Sequence, residues 1–465
     1  MTLLVALSDR QRDAVHRHDK RRQAWCLSQT RLGWHGCVID TVLRDHSLGK
    51  AFRMPTLDWI GKQAVRNHHR EVPYRLLKCD KALSVGDPGS GNLVVQGDNL
   101  VALKALLPYY AGQVKCIYID PPYNTGNEGW VYNDATNSPE IRQWLGRVVG
   151  AEAEDLSRHD KWLCMMYPRL ALLREFLRED GAIFVSIADH EIHNLRLLMD
   201  EVFGQQNFVG TIIWQKVYSP KNTAQYFSED HDYIVVYAAR KSVWRPNLLQ
   251  RSDEQNDRYS NTDNDPRGPW KTSDLAARNY YDKGTYPITC PSGRVVKGPP
   301  TGNYWRVSED KFKEMVADNR IWWGSEGSAI PQIKRFISEV KDGVVPQTLW
   351  FYREVGHTQE AKQELLRLVD FVDSDAVFVT PKPARLIGRI LDIASDPDSI
   401  VLDSFAGSGT TGQAVLEANA ADGGNRRFLL IEMEQNVVAD ITQRRLKRVI
   451  TGDNWIAEER RILWQ

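Results

Sequence analysis

The feature that most constrains this chain is an alternation of short apolar segments with longer amphipathic segments, which occurs twice along the sequence. The first block lies within residues 92–240 and the second within residues 380–450. In both blocks the short segments are apolar on both faces, as in "VKCIYID" and "SIVLDSF". Strands of this kind, alternating with helices, are typical of a parallel sheet covered by helices on both sides. The sequence therefore predicts an α/β fold whose sheet is built from two separated halves.

The same pattern divides the chain into four segments. Residues 1–85 carry Arg and His clusters among short apolar runs and predict an N-terminal extension. Residues 86–240 hold the first half of the sheet, and residues 351–465 hold the second half. Residues 241–350 break the alternation with Asn, Asp, Pro, Gly and many aromatic residues, which predicts an inserted, irregular or β-rich module.

Composition limits where a partner can bind. The 465 residues include 60 basic and 60 acidic side chains, so any nucleic-acid surface must be local. No apolar run reaches the ~18–20 residues of a membrane helix, and the first residues lack the apolar run of a secretory signal. We therefore expect a cytoplasmic protein without membrane contact. The 6 cysteines are scattered without a C-x-x-C pair, which indicates neither a zinc site nor a disulfide framework.

A glycine-rich loop follows the strand "SIVLDSF". Gly407, Gly409 and Gly412 form a G-x-G-x-x-G pattern, and Glu432 ends the next strand. This is the pattern of dinucleotide-binding folds, so an NAD-dependent oxidoreductase is one interpretation. Asp403 disfavours it, because a carboxylate at the strand end would face the pyrophosphate. A cationic ligand with ribose hydroxyls fits better, and S-adenosylmethionine carries both a sulfonium and an ammonium group.

The strand "VKCIYID" runs into the segment "DPPY". Asp120 stands at the carboxyl edge of the predicted sheet, where open α/β folds bind ligands. Pro121 and Pro122 lack a backbone N–H, so the segment presents acceptors without competing donors. Such a segment suits an exocyclic amine, which donates one N–H to Asp120 and the other to the Pro121 carbonyl. Tyr123 supplies a ring for base stacking, a contact worth ~1–3 kcal/mol.

Taken together, "DPPY" and "FAGSGT" (residues 405–410) resemble the catalytic and cofactor motifs of the amino-methylating DNA methyltransferases. The catalytic motif comes first and a variable region separates the two, as in the permuted β class. The segments "LVVQGDNLVALKALL", "DWIGK", "WRVSEDKF" and "GHTQEAKQEL" are similar to those of Type III modification (Mod) subunits and their stand-alone relatives. The resemblance covers roughly residues 50–450.

This resemblance implies a Rossmann-like, S-adenosylmethionine-dependent methyltransferase sheet with circularly permuted motif order. It makes residues 86–240 the catalytic half, residues 241–350 a target-recognition module and residues 351–465 the cofactor-binding half. It assigns catalysis to Asp120, Pro121, Pro122 and Tyr123. It assigns cofactor binding to Asp98, Asn99, Thr380, Lys382, Asp403, Phe405, Ala406, Gly407, Ser408, Gly409, Thr410 and Glu432.

Within that set the resemblance implies separate contacts. Asp98, with Asn99, would contact the cofactor adenine, and Glu432 would take its ribose. Thr380 and Lys382 would lie near the methionine carboxylate. One position departs from the family pattern: Ser404 stands where typical members have proline before the loop.

The acceptor base follows from family analogy. The leading Asp of "DPPY" favours adenine N6, and cytosine N4 is the alternative because N4 enzymes more often carry Ser there. Cytosine C5 methylation is disfavoured because it needs a cysteine nucleophile, and no Pro-Cys dipeptide occurs. A DNA-binding module without activity is a further alternative, and the chemistry does not separate DNA from RNA.

Methylation of a paired adenine requires that the base be flipped out of the duplex, at a cost of a few kcal/mol. The module at residues 241–350 supplies candidates for DNA contact, although each could also be an ordinary surface charge or core aromatic. The candidates are Lys271, Arg278, Lys283, Arg294, Lys297 and Arg306, with Tyr280, Tyr281, Tyr286, Tyr304 and Trp305. The resemblance also implies duplex DNA as the partner, a homodimer, and a possible restriction subunit on another chain.

Two further motifs give less information about function. The segment "DHEIHNL" contains H-E-x-H, which is one residue short of the zincin spacing, so we predict no metal. The segment "QRRLKRVI" predicts a helix with a basic face toward solvent.

Overall fold

The computed structural model describes residues 2–8, 57–87, 89–125, 139–148, 157–371, 378 and 380–452. The chain forms two compact units. The first contains Met1–Asn247 and Gln347–Gln465, and the second contains Leu248–Pro346.

The first unit is built on one large sheet. Its strands before the insertion are β1 (Thr2–Ser8), β2 (Leu76–Val85), β3 (Leu93–Gln96), β4 (Val114–Ile119), β5 (Leu177–Ile187), β6 (Phe208–Gln215) and β7 (His231–Ala238). The inserted unit carries β8 (Trp270–Asp274), β9 (Ala276–Ala277), β10 (Ile288–Thr289), β11 (Val295–Val296), β12 (Tyr304–Trp305), β13 (Ile321–Trp322) and β14 (Gln332–Phe336). The sheet is completed by β15 (Leu349–Trp350), β16 (Ile400–Asp403) and β17 (Arg427–Glu432).

The large sheet has the strand order β15-β6-β7-β5-β4-β16-β17-β3-β1-β2. Of its described strands, β7 runs antiparallel to β5 and β6, and β2 runs antiparallel to β1. The remaining pairings are parallel. The predicted α/β fold with a mostly parallel sheet is therefore confirmed.

Helices accompany this sheet along the chain. They are α1 (Lys62–Val65), α2 (His68–Glu71), α3 (Asn99–Tyr110), α4 (Pro139–Val148), α5 (Arg158–Phe176), α6 (Ile192–Met199), α7 (Asp253–Asn256), α8 (Glu309–Ala317), α9 (Tyr352–Val355), α10 (Thr358–Leu368), α11 (Ala384–Ala394), α12 (Thr410–Asp422) and α13 (Gln443–Thr451). A π-helical turn, Asp200–Gly204, extends α6, and another, Val437–Thr442, precedes α13. Short 3₁₀ turns occur at Gln205–Asn207 and Ile337–Glu339.

The central strands are buried because their residues are apolar on both faces. All residues of β16 are buried, and β4 and β17 are each buried at all but one residue. Burial of this apolar surface, worth about 25 cal/mol per Å², favours a sheet that is covered on both sides. The core therefore lies along the strands that lead to the two sequence motifs.

Polar residues mark where the main helices begin. Asp98 caps α3, because its carboxylate accepts a hydrogen bond from the Val101 N–H at 3.0 Å. Ser157 and Asp160 form a capping box at the start of α5, in which each side chain accepts from the other residue's backbone N–H. The two capped helices, α3 and α5, precede and follow β4 in the sequence.

The order in which strands are added to the sheet reverses between β4 and β16. The strand that follows β4 in the sequence, β5, lies beside it on one side, and the strand that follows β16, β17, lies on the opposite side. Such a reversal leaves a crevice at the carboxyl ends of the two strands, where open α/β sheets bind ligands. The topology thus locates a candidate site before any side chain is considered.

The secondary structure differs from the predicted pattern at two places. The segment "HDKWLCMMYPRLALLREFLRED" predicts one helix through residue 180, but α5 ends at Phe176 and β5 begins at Leu177. Pairing of β5 with β4, which starts at the Val114–Leu177 pair, outweighs the local helical preference. The predicted N-terminal extension also contributes β2 to the large sheet.

The inserted unit has its own small core. Its buried members are Leu275, Tyr286, Ile288, Trp305, Phe312, Ile321 and Ile333. Of the aromatic residues predicted to contact DNA, Tyr286 and Trp305 therefore pack inside this unit. Tyr280 is 77% exposed, and its ring lies edge-on to Tyr304 with 5.2 Å between centroids. All six basic candidates are exposed.

No helix in the described part of the chain is both long enough and apolar enough to cross a bilayer.

The packing of α12 against the sheet gives a testable pair of substitutions. A Cβ at Gly412 would lie 2.7 Å from Leu446 Cδ2 and 3.0 Å from Leu430 Cδ1, whereas a Cβ at Gly388 would meet nothing within 4 Å. Gly412→Ala should lower the free energy of unfolding by about 1–3 kcal/mol through overpacking. Gly388→Ala, inside α11, should raise it by about 0.4–1 kcal/mol. Urea denaturation checks both, and a shift of the two variants in the same direction would contradict this packing.

Candidate active site

A cavity of about 470 Å³ lies at the carboxyl ends of β4 and β16. Its volume is within the range of pockets that bind small organic ligands. Most of the predicted site residues line it: Asp120, Pro121, Pro122, Tyr123, Thr380, Lys382, Asp403, Phe405, Ala406, Gly407, Ser408 and Thr410. The structure therefore brings "DPPY" and "FAGSGT" to one cavity.

Asp120 is held by a lysine from the other half of the sheet. Lys382 Nζ donates to Asp120 Oδ2 at 2.5 Å and lies 5.0 Å from the centroid of the Tyr123 ring. Oδ1 of Asp120 is buried, and the described residues place no donor in hydrogen-bonding geometry with it. Lys382 thus orients one oxygen of Asp120, and Asp120 lines the cavity. The predicted contact of Lys382 with a methionine carboxylate stays a prediction.

The two prolines are fixed from behind by α5. Trp162, which is fully buried, donates its indole N–H to the Pro122 carbonyl at 2.7 Å. Tyr123 follows immediately, and its half-buried ring packs against the main core. Burial, and next the Asp120 carboxylate, raise the pKa of the Tyr123 hydroxyl well above its usual value. Tyr123 is therefore neutral and presents a ring rather than a charge.

Sequence reasoning missed the residue that fixes the loop after Tyr123. Asn124 is fully buried in the left-handed backbone region, with φ 56°. Its Nδ2 donates to Glu191 Oε1 at 2.5 Å and to the Arg158 carbonyl at 3.3 Å. Glu191 also accepts from Asn194 Nδ2 at 2.8 Å, and His159 Nδ1 lies 2.5 Å from its Oε1. The acid of "DHEIHNL" is thus a buried acceptor for the catalytic-motif loop.

Asp403 is the second acid of the cavity. It is 2% exposed, and burial raises its pKa to about 7, although Thr411 Oγ1 and the Phe405 N–H both donate to it. The folded protein therefore holds a proton here that the unfolded chain releases near pH 4. Because the folded-state pKa is raised, the stability from this group is present at low pH and is lost as the pH rises through about 7.

The backbone of the glycine loop is already hydrogen-bonded. The N–H of Gly407 donates to Glu432 Oε2 at 2.8 Å, and that of Ala406 to the Ile431 carbonyl at 3.0 Å. The Gly409 N–H donates to the Ala406 carbonyl at 2.9 Å. A pyrophosphate needs free amides at this point. The arrangement therefore disfavours the NAD interpretation and suits a ligand without phosphate.

A buried arginine supports this loop from below. Arg445 is fully buried on α13 and donates to Ser408 Oγ at 3.0 Å, Thr410 Oγ1 at 2.8 Å and Gln413 Oε1 at 2.6 Å. The prediction that "QRRLKRVI" is a solvent-facing basic helix is therefore wrong for Arg445. The run of basic residues in this segment gives no indication that the Arg445 side chain points into the core.

Four of the predicted cofactor residues do not line the cavity: Asp98, Asn99, Gly409 and Glu432. Arg169 holds the first two, through a 2.9 Å ion pair with Asp98 and a short hydrogen bond to Asn99. Asn99 Nδ2 also donates to the Ser404 carbonyl at 3.2 Å. Ser404 Oγ is buried without a hydrogen-bond partner in the described structure. The predicted contacts of Asp98 and Glu432 with adenine and ribose stay predictions.

The other wall of the cavity comes from β6 and β7 and was not predicted. Trp214, Lys216 and Asp232 line it. Lys216 Nζ donates to Asp232 Oδ1 at 2.7 Å. Burial raises the pKa of Asp232, and the charges of Lys216 and Lys382 oppose that effect. The sequence signal was polar residues at the facing ends of two apolar strands, "IIWQK" and "HDYIVVY".

Within the described ranges, no group of three or more His, Cys, Asp or Glu side chains is placed to hold a metal ion.

The chain is similar to known proteins along most of its length. The N6/N4 methyltransferase family model, described as DNA methylase, matches residues 114–443. The Type III restriction-modification enzyme StyLTI Mod subunit of Salmonella typhimurium is 34% identical over 84% of this chain and 62% of its own length. The EcoPI Mod subunit of Escherichia phage P1 is 32% identical over 86% of this chain and 69% of its own length.

Other similarities are more distant. The Type II methyltransferase M.KpnI of Klebsiella pneumoniae is 28% identical over 81% of this chain and 91% of its own length. The solved PvuII cytosine-N4-specific DNA methyltransferase is 12% identical, covers 78% of this chain and 95% of its own, and gives a TM-score of 0.37. This chain spans less than two thirds of the StyLTI Mod subunit.

The Asn124 network predicts a graded loss of stability. Asn124→Ala removes the donor to Glu191 and places a Cβ residue without a compensating side chain in the left-handed region. It should lower the free energy of unfolding by about 2–4 kcal/mol. Asn124→Gly loses the same hydrogen bonds without the backbone strain, so its loss should be about 1 kcal/mol smaller. Urea denaturation compares the two variants, and equal losses would contradict a role for the backbone conformation.

Proposed function

This chain belongs to the DNA methylase family of N6/N4 methyltransferases, and we propose that it methylates adenine N6 in a specific sequence of duplex DNA. The family match covers both sequence motifs and the inserted segment between them. It confirms the predicted resemblance to amino-methylating, S-adenosylmethionine-dependent DNA methyltransferases. No observation supports the alternative of an NAD-dependent oxidoreductase.

The observation that carries the proposal is the shared cavity. Asp120 and the buried Asp403 both line it, at the ends of neighbouring strands. One acid can bind an amine while the other attracts a cation. A single cavity with both features fits a reaction in which an amine accepts a group from a cationic donor.

The residues fit the cofactor on the amino-acid side. When bound, S-adenosylmethionine supplies a methyl group on a sulfonium that departs as a neutral thioether. Asp403 would face the positive charges of the cofactor, and its ionised form would be favoured there. The loop at residues 405–410 would enclose the cofactor, and the amides of Ala406, Gly407 and Gly409 are already hydrogen-bonded within the protein. Gly407 leaves no room for a side chain, because a Cβ there would lie 3.0 Å from the Phe378 ring.

The "DPPY" residues would bind and orient the acceptor base. Oδ1 of Asp120 would accept one N–H of the exocyclic amine, and the Pro121 carbonyl would accept the other. Two acceptors on one amino group favour a tetrahedral nitrogen with its lone pair directed at the methyl carbon. The proton lost from that nitrogen would pass to Asp120 or to water. Lys382 would keep the Asp120 carboxylate in place throughout.

Tyr123 would provide the stacking surface for the flipped base. Its hydroxyl is buried and its ring lies on the cavity wall beside Lys382. Stacking on an aromatic ring is worth ~1–3 kcal/mol, which offsets part of the cost of flipping. Cytosine N4 offers the same pair of N–H donors. The preference for adenine therefore rests on the similarity to Type III Mod subunits and on the leading Asp of the motif.

The inserted unit would read the DNA sequence. Its six exposed basic residues can contact phosphates, and the exposed ring of Tyr280 can contact bases. The similarity to Mod subunits supports a restriction polypeptide as partner for this chain. We further propose a homodimer in which one subunit reads DNA and the other catalyses. The molar mass in solution tests the dimer.

The proposed role of Asp120 predicts a selective loss of catalysis. Asp120→Ala removes both the acceptor and the partner of Lys382, and should lower the rate of methyl transfer at least ~10²-fold. Binding to duplex DNA should stay near that of the wild-type protein. Asp120→Asn keeps one acceptor oxygen and should lose less activity. Transfer of labelled methyl groups measures the rate, and an unchanged rate in Asp120→Ala would contradict the role.

The proposal that adenine N6 accepts the methyl group predicts a single methylated product. DNA is incubated with the protein and S-adenosylmethionine and is then digested to nucleosides. The digest should contain N6-methyl-2′-deoxyadenosine. Mass spectrometry identifies it, with Asp120→Ala as the inactive control. If N4-methylcytosine is the only product, the acceptor is cytosine N4 and not adenine N6. If labelled methyl groups are found only on added RNA, the substrate is RNA and not DNA.

The raised pKa of Asp403 predicts that cofactor affinity depends on pH. With a pKa of about 7, Asp403 is mostly protonated at pH 6 and mostly ionised at pH 8 in the free protein. A cationic ligand needs the ionised form, so binding should release a proton and be roughly tenfold weaker at pH 6 than at pH 8. Asp403→Asn should weaken binding at pH 8 and remove this difference. Calorimetric titration measures the cofactor affinity at both pH values. An equal pH dependence of affinity in Asp403→Asn would assign that dependence to another group.

A further inference from the structure

The segment that connects β6 to β7, residues 216–230, carries two adjacent aromatic side chains in solvent. Tyr226 is 83% exposed and Phe227 is 90% exposed. Burial of a phenylalanine side chain contributes ~1.5–3 kcal/mol, and adjacent exposed rings forgo that gain. A pair of rings of this kind indicates a surface that is covered in a complex.

Hydrogen bonds hold this segment at the cavity. The Lys216 N–H donates to the Asp230 carbonyl at 2.9 Å and closes its base. The Lys221 N–H donates to Ser228 Oγ at 2.8 Å and joins the two sides of its tip. Val217 and Lys221 line the cavity. We call residues 221–228 the tip loop.

This geometry places Phe227 near the cavity wall. Phe227 directly precedes Ser228, whose hydroxyl contacts the backbone of Lys221. Since consecutive Cα atoms are ~3.8 Å apart, the Cα atom of Phe227 lies at most about 10 Å from that of Lys221. An exposed apolar ring therefore lies in the same loop that contributes Lys221 to the cavity lining.

The side chains around the tip loop make its rings, rather than its charge, the means of contacting DNA. Tyr218 is 60% exposed at the start of the segment, and its ring lies 5.4 Å from Tyr352, edge-on. Lys221 and Glu229 are exposed, whereas Asp230 accepts a hydrogen bond from Ser228. Exposed charges of opposite sign give the segment little net attraction for phosphate. Its contact with DNA would therefore depend on the rings, which stack on bases.

On the basis of the proposed function, we propose that Phe227, with Tyr226 beside it, inserts into the duplex next to the flipped adenine and fills the space that the base leaves. Removing a base from the stack costs a few kcal/mol, and apolar side chains inserted at a base step stabilise unstacked DNA in other systems. Neighbouring bases lie ~3.4 Å apart along a strand. Because Lys221 lines the cavity and Phe227 lies in the same tip loop, the Phe227 ring would reach the step beside the target.

The test uses two duplexes that contain the recognised site, which is identified first by sequencing methylated DNA from cells that express the chain. One duplex is fully paired, and the other carries an abasic site opposite the target adenine, so that the target flips at lower cost. Phe227→Ala should lower kcat/KM on the paired duplex ~10-fold or more, from the loss of stacking worth ~1–3 kcal/mol. On the abasic duplex the loss should be under about threefold, because flipping there needs less stabilisation.

Two further variants complete the design. Phe227→Leu keeps an apolar side chain and should retain most of the activity on both duplexes. Tyr109→Ala removes an exposed ring of α3, 66% exposed, and should behave as the wild-type protein. With 2-aminopurine at the target position, Phe227→Ala should also show a smaller rise in fluorescence on binding than the wild type.

Several results would overturn the insertion of Phe227. Unchanged activity of Phe227→Ala on the paired duplex would exclude it, and equal losses on both duplexes would make Phe227 a general docking contact. A change in the molar mass of Phe227→Ala in solution would assign the rings to a protein interface. A wild-type protein that methylates neither duplex would overturn the proposed function itself and this insertion with it.

Discussion

The parallel pairing of β4 with β16 is the interaction on which the rest of the site depends. Ile400, Val401 and Leu402 pair with Val114, Cys116 and Ile117, so two segments far apart in the sequence end at one edge of the sheet. Both strands are buried and apolar, which makes the pairing favourable. An acid follows or ends each strand, and the pairing alone brings the two acids to one cavity. The two motifs thus meet although an inserted segment separates them in the sequence.

The three acidic groups at the cavity are stabilised in two different ways. Asp120 is paired with Lys382, and Asp232 is paired with Lys216. Asp403 has no such cation among the described residues, and it holds its proton to about pH 7 because it is buried. Burial of an unpaired charge is costly, so a cationic ligand can take the place of that proton. The cavity is thus suited to a sulfonium and an ammonium group before any ligand is present.

Local sequence predicted the elements that depend on local pattern. The helix expected over "NLVALKALLPYY" is α3, and the apolar segments before "DPPY" and "FAGSGT" are β4 and β16. Motif identity placed most of the predicted residues on one cavity. These successes share a cause: apolar periodicity and strand ends are written in adjacent residues.

Contacts between distant segments could not be predicted in this way. Glu191 binds Asn124 and Arg445 supports Ser408, and each pair is separated along the chain by residues that give no sign of the contact. A charged residue usually lies at the surface, so its burial is evident only when its partner is known. The early end of α5 has the same origin, because strand pairing with β4 decides it.

A structure of the protein crystallised with S-adenosylmethionine tests the central claim most directly, through the distance from the sulfonium methyl carbon to Asp120 Oδ1. An amine nitrogen must lie about 3 Å from that oxygen and ~3–3.5 Å from the methyl carbon at the same time. The account predicts a distance of at most about 6.5 Å between the methyl carbon and Oδ1, with Asp403 beside the positive groups. A cofactor bound in another cavity, or a methyl group directed away from Asp120, would contradict it.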